Sequence, residues 1–245
     1  MITINKTFAN TALPIDLPLT DRIKALPGLA AWFQANAALN TVSAGKVSEL
    51  ADKAGGLAVL TQGTVGQRGT WTENAFGAYP GVMLDGVDDE YLLSGLTPDT
   101  NANFTWAVIC KGTPAAASAH ILSNYAATND GTWAGFDSFN RLRVKHGSAE
   151  LASAYTPNTP AVMVFGKTGT ALSARFNGGA TQTAATDNNG SNATLRVGRL
   201  NSGGSQPFPG GFSDILLFSS NLFSDVKQVQ LIETFAAKAY GVTLG

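Results

Sequence analysis

The sequence is short of charge, cysteine and histidine, and each shortage removes a class of function. Charged residues make up 13% of the 245 positions and balance to a formal net charge of -1 at pH 7. No basic surface of the kind that neutralises a phosphate backbone can be assembled from them, so nucleic acid is not expected as a partner. The single cysteine, Cys110, excludes a disulfide framework. It ends the segment Phe104-Thr-Trp-Ala-Val-Ile-Cys110, where alternation sets Phe104, Trp106, Val108 and Cys110 on one strand face, which is the setting of a buried thiol. A Ser-His-Asp or Cys-His site has only His120 and His146 to draw on, no nucleophile elbow accompanies them, and both are expected in the core or at a strand edge. No apolar run approaches the ~18 residues needed to span a bilayer, so no membrane insertion is expected. The start, Met1-Ile-Thr-Ile-Asn-Lys-Thr-Phe8, lacks the basic and apolar stretches of a secretory signal peptide.

What the chain does have is 44% hydrophobic residues, 27 glycines and abundant Thr and Asn, a composition suited to one large all-β unit whose solubility rests on hydroxyls and amides. Residues 1–26 read as an arm. Leu13-Pro-Ile-Asp-Leu-Pro-Leu19 holds the backbone extended, and Ile2, Ile4, Phe8, Leu13, Ile15 and Leu17 are too apolar for a solvated tail. The arm is expected to dock on its own domain or drive oligomerisation, with a helical turn at Thr20 to Ala25 capped by Thr20. From Leu29 onward, strand candidates at 29–33, 57–60, 81–84, 104–110, 119–124, 141–146, 160–166, 171–176, 194–199 and 211–218 alternate with turn residues. Arg141-Leu-Arg-Val-Lys-His146 shows the period most cleanly, with Leu142, Val144 and His146 inward and Arg141, Arg143 and Lys145 outward. One helix closes the chain: Ser224 can cap it, Val226, Val229, Ile232, Phe235 and Ala236 recur at helical spacing, and Gly241 can end it.

Four segments carry a family resemblance. They are Gly81-Val-Met-Leu-Asp-Gly-Val-Asp-Asp-Glu-Tyr-Leu-Leu93, the apolar-Trp strand Leu29-Ala-Ala-Trp32, Thr194-Leu-Arg-Val-Gly-Arg199 before Phe208-Pro-Gly-Gly211, and the ending Leu222-Phe-Ser-Asp225 with a helix to Tyr240-Gly241. In this order they resemble the laminin-G-like branch of the concanavalin A-like lectin/glucanase superfamily, as found in bacteriophage and bacterial surface proteins. The resemblance implies an all-β, two-sheet antiparallel jelly-roll sandwich over residues 27–245, with the C-terminal helix and the extended N-terminal arm added. Glycosidases of that superfamily place paired carboxylates at alternate positions of one strand. Glu49, Glu73, Glu90, Glu150 and Glu233 are scattered, and the Asp88/Glu90 pair falls in a turn. Hydrolysis by that arrangement is therefore not expected, and the chain reads as non-enzymatic.

Candidate sites follow from both readings. Asp85, Asp88 and Asp89 are hard oxygen donors in one turn; some laminin-G-like domains hold calcium at a sandwich rim, and calcium is the one cofactor the resemblance allows, while the plainer reading is that these residues cap the turn. Tyr125, Asn129, Asp130 and Trp133, followed by the basic stripe Arg141 and Arg143, have the composition of a glycan platform; equally, Trp133 and Phe136 can serve the core. Gly166-Lys-Thr168 mimics a P-loop end without the upstream glycine or a following helix, so it reads as a strand end.

The expected role is a structural or accessory virion protein of a tailed bacteriophage, in a fibre, tail or capsid-decorating position. Its partners would be other virion proteins and further copies of itself, with host surface polysaccharide as a ligand, and assembly would take place in the host cytoplasm. The alternative is a free bacterial carbohydrate-binding or adhesion module reading glycans through residues 124–140. These expectations rest on the resemblance, the low charge and the apolar arm, and fold alone does not fix function.

Overall fold

Alternating apolar residues broken by glycine, asparagine and aspartate turns fold into a succession of short strands, described in a computed structural model for residues 18–113, 118–125, 130–187, 189–200 and 206–245. The chain begins with α1 (Leu19–Lys24), then β1 (Leu29–Gln34), β2 (Asn40–Ser43), β3 (Lys46–Ala51), β4 (Val59–Thr61), β5 (Thr70–Phe76), β6 (Tyr79–Asp85), β7 (Tyr91–Ser94) and β8 (Phe104–Gly112). It continues with β9 (Ala119–Ser123), β10 (Thr132–Phe136), β11 (Arg141–His146), β12 (Ala149–Ala154), β13 (Ala161–Thr168), β14 (Ala171–Phe176) and β15 (Gln182–Ala185). The last elements are β16 (Arg196–Val197), β17 (Pro209–Phe218) and α2 (Val226–Tyr240).

All the strand pairings are antiparallel and form one unbroken ladder. β17 is the hub: β8 runs along one side, while on the other β6 pairs with Pro209–Phe212 and β1 with Asp214–Phe218. From β8 the ladder runs through β13 and β14 to β15. From β6 it runs through β5, β3, β4, β7, β16, β9, β10 and β11 to β12. The two free edges come back together, since Thr186 beyond β15 donates its hydroxyl to the His146 carbonyl at 3.0 Å and Asp187 accepts the Ser148 amide at 3.1 Å. The sheet is thus a nearly closed barrel sealed by side-chain bonds.

This overturns the expectation of a two-sheet jelly-roll sandwich. Alternation and turn residues look the same in a strand that pairs within one sheet and in one that carries the ladder around a bend. What bends this ladder is irregular register, between Thr72 and Phe76 in the β5–β6 pair and between Phe212 and Asp214 in the β17–β8 pair, where extra residues kink and twist the strands.

The core has two parts. Phe104, Trp106, Val108 and Cys110 of β8 face the barrel interior with Phe33, Tyr91, Phe136, Phe165 and Phe212. Ala107 and Ile109 face outward, where Trp32, Val162, Val164, Leu216 and Phe218 are covered by α2. Both faces of β8 are buried, so its alternation separates two interiors and not inside from water. The helix buries Val229, Ile232, Phe235, Ala236 and Tyr240 along one stripe, and each fully buried large apolar side chain contributes roughly 1.5–3 kcal/mol. Asp225, one residue later than expected, caps α2 by accepting the Lys227 amide at 3.1 Å, and Gly241 closes it with a left-handed φ of 69°.

Other expectations shift similarly. α1 starts at Leu19 and not Thr20, because the Pro18 carbonyl accepts the Asp21 and Arg22 amides at 2.9 and 3.1 Å. It packs on α2 through Ile23. The arm residues Ile2, Ile4, Phe8, Leu13, Ile15 and Leu17 lie outside the described residues. β10 occupies part of a region expected to be loop. All five of its residues are buried, so no alternation marks it, and Gly135 lies so close to Ala119 that a Cβ would sit 1.9 Å from that carbonyl.

Candidate functional site

A cleft of about 270 Å³ lies where the end of β1, the β5–β6 hairpin and the end of α2 meet, and it joins exposed aromatic surface to a carboxylate. Each wall has a local cause. β1 leaves the ladder after Gln34, and the Ala35 amide is held by the Ser213 carbonyl at 2.7 Å while the Asn36 side chain caps the turn that follows. In β5 the irregular register frees Glu73 from the regular ladder, and its carboxylate accepts the Trp71 indole N–H at 2.7 Å. Across the cleft Tyr79 keeps 46% of its surface exposed and stands edge-on to Tyr240, with ring centroids 5.3 Å apart. Pro80 stiffens that wall, and Tyr240, buried on Phe76 and Phe235, forms the floor.

Beneath the floor lies a buried polar relay. The Asp214 carboxylate oxygen Oδ1 accepts the Trp32 indole N–H at 2.6 Å and the Gln34 side-chain amide at 3.1 Å. Gln34 also donates to the Tyr240 hydroxyl at 3.0 Å and accepts from Lys53 Nζ at 2.7 Å, so both ends of its amide are fixed. Burial pushes the Asp214 carboxyl up from the usual carboxylate range even though Tyr240 and Trp32 bond to it. Burial, reinforced by Asp214, pushes the Tyr240 phenol up as well. Lys53, lying 4.0 Å over the Trp32 ring, is lowered by burial against the opposing pull of Asp214. The floor of the cleft is therefore rigid. What it presents to solvent is aromatic surface beside one exposed carboxylate, the combination that receives the C–H face and hydroxyls of a sugar.

The residues picked out from sequence lie elsewhere. Trp133 is 6% exposed, edge-on to His120 at 4.4 Å, with the Arg143 guanidinium 5.2 Å above its ring. Arg143 binds Glu150 and Ser118, and Arg141 binds Asp137 at 2.6 Å, so both guanidinium groups have partners within the fold. Tyr125 and Asp130 are half-buried, and Asn129 lies outside the described residues. His120 and His146 are both buried, as expected; burial holds them down to about 3 and about 4. Cys110 is fully buried and its thiol is pushed up by burial. Lys167 in the P-loop mimic is likewise buried, its ammonium on the Thr100 and Asn101 carbonyls.

Asp85, Asp88 and Asp89 place ligand atoms within 4.8 Å of one another. The turn uses two of them. Asp85 Oδ1 accepts the amides of Val87, Asp88 and Asp89 at 2.8, 3.2 and 3.4 Å, and Asp89 Oδ2 accepts the Asp85 amide at 2.9 Å. Sequence reasoning missed the cleft altogether. Gln34, Trp71, Glu73, Tyr79 and Tyr240 share no motif, and the one local signal is the polar-aromatic stretch from Trp71 to Tyr79.

No protein-family model matches the sequence, and no curated protein matches it. Solved structures do share the fold. A Trypanosoma rangeli sialidase in complex with 2,3-difluorosialic acid superposes with a TM-score of 0.60 at 10% identity, covering 86% of this chain and 33% of that one. A GH54 α-L-arabinofuranosidase gives 0.60 at 12% identity, covering 79% of this chain and 51% of that one. A structure of botulinum neurotoxin type C, whose cell entry depends on two ganglioside molecules, gives 0.60 at 14% identity, covering 89% of this chain and 53% of that one. The chain thus spans a third to about half the length of these proteins.

These neighbours correct three further expectations. The laminin-G-like resemblance is replaced by likeness to sialidase and arabinofuranosidase folds, with no family model to support it. Nothing among them points to a phage virion or a capsid-decorating role. The exclusion of catalysis from scattered glutamates also fails, because the fold recurs over a third to about half of the length of glycosidases and residues distant in sequence can meet in one cleft.

Proposed function

We propose that this chain is a carbohydrate-active domain of the kind found within larger glycan-processing proteins, and that its sugar site is the cleft between β5, β6 and α2. The observation that carries the reading is the meeting of the Trp71-held Glu73 carboxylate with the exposed Tyr79 ring over a rigid Tyr240 floor. An aromatic face takes the apolar side of a pyranose or furanose ring, and a fixed carboxylate accepts from its hydroxyls. The three fold neighbours act on or depend on glycans by their own descriptions, which supports the same class. Calorimetric titration with a panel of oligosaccharides tests it. Saturable binding lost in Tyr79→Ala and weakened in Glu73→Gln, with unchanged unfolding curves, is the expected result; binding indifferent to both substitutions would refute the assignment.

A further inference from the structure

We infer that the cleft selects uncharged or amino sugars and discriminates against carboxylated ones such as sialates and uronates; the inference rests on the cleft being the sugar site. Among the described residues Glu73 is the only acidic or basic side chain lining the cleft, the other polar groups being the Gln34 and Asn36 amides, the Trp71 indole and the Tyr79 and Tyr240 phenols. Its indole bond from Trp71 engages one carboxylate oxygen, leaving the other to accept from a vicinal hydroxyl or an ammonium group.

Recognition of a sugar carboxylate calls for the opposite furniture, a guanidinium fork or an ammonium aimed at the ligand. Among the described residues no arginine or lysine lines the cleft. Two lysines that touch residues around the cleft are turned to other work. Lys53 donates to Gln34 and lies over the buried Trp32 ring, and Lys111 lies 5.3 Å over the Phe76 ring. Arginines elsewhere are held by their own partners, Arg68 by the Gln62 and Gly63 carbonyls, Arg175 by Glu233 and Arg196 by Glu90. A carboxylated sugar in this cleft would meet Glu73 with like charge and no counter-ion, which sets binding preference by repulsion as much as by attraction.

The test is titration of the whole chain with matched ligand pairs, a galactose-terminated oligosaccharide against its sialylated form and a glucosamine oligomer against a glucuronate-containing one. The expected result is at least about tenfold weaker binding of each carboxylated member, a gap that narrows in Glu73→Gln and reverses in Glu73→Lys. Because Glu73 is exposed, neither substitution threatens folding. Equal or tighter binding of the carboxylated member, lost in Tyr79→Ala, would overturn the selectivity while leaving the cleft as the sugar site. Binding untouched by Tyr79→Ala would instead overturn the site itself and the selectivity with it.

Discussion

The Arg175 guanidinium of β14 grips the Glu233 carboxylate of α2 side on, with Nε 3.0 Å from one oxygen and a terminal nitrogen 3.0 Å from the other, both side chains being shut away from water. The pair ties the helix to the sheet and so helps fix Tyr240, seven residues further on, as the cleft floor. Glu233→Ala would leave a buried cation alone and is expected to destabilise the fold by about 3–5 kcal/mol in denaturant unfolding. Replacing both partners by leucine should recover much of that loss, which separates pairing from packing.

Trp133 lies on the outer face of β10, opposite the interior residues Ala134 and Phe136, packed against His120 and beneath Arg143. Trp133→Ala is expected to cost about 3–5 kcal/mol of stability, as for other buried aromatics. Oligosaccharide affinity of the folded fraction should stay within about twofold, since the residue is not among those lining the cleft and a factor of two is under ~0.5 kcal/mol. Full stability with abolished binding would move the sugar site to this strand.

The two buried histidines predict acid sensitivity. Their folded values, about 3 for His120 and about 4 for His146, lie below the ordinary 6.5 because burial disfavours the charged ring. The unfolded chain therefore takes up protons first. Stability should be flat above pH 6.5 with respect to these groups, then fall by up to about 1.4 kcal/mol per pH unit for each histidine until the folded value is reached. Unfolding free energies measured from pH 7 to pH 4 check this, and His120→Leu should remove its share of the slope.

Asp85 organises the turn after β6, where Gly86 takes a left-handed φ of 74° with Pro209 packed so close that a Cβ would lie 2.7 Å from it. Burial alone would raise the Asp85 carboxyl, but the amides of Val87, Asp88 and Asp89 outweigh it and hold the group below the usual range. Asp85→Ala hands those largely exposed amides to water and should cost about 0.5–1.5 kcal/mol, read as a lower thermal midpoint. Because the folded value is depressed, the contribution of Asp85 is present above about pH 4 and lost as pH falls further, so the gap between wild type and variant should close in acid.

Much of the local structure was legible. β11 shows its alternation openly, and the inward phase of His146 follows from it. β8 was readable on one face only, because its other face is buried under α2 and both sets of residues are apolar. β10 was unreadable, being buried throughout and glycine-bearing, and β16 proved to be two residues where a six-residue strand was expected.

Side-chain period, turn chemistry and helix caps are set by neighbours a few residues apart, so the strands, the α2 stripe and its Gly241 stop could be determined from the chain alone. How the ladder curls was decided only by tertiary structure, through bulges at Thr72 and Phe212 that leave no distinct residue signature. The same holds for the cleft. Gln34 and Tyr240, 206 positions apart, share a hydrogen bond because β1 and α2 are both anchored to the hub strand, and no local pattern encodes such a meeting.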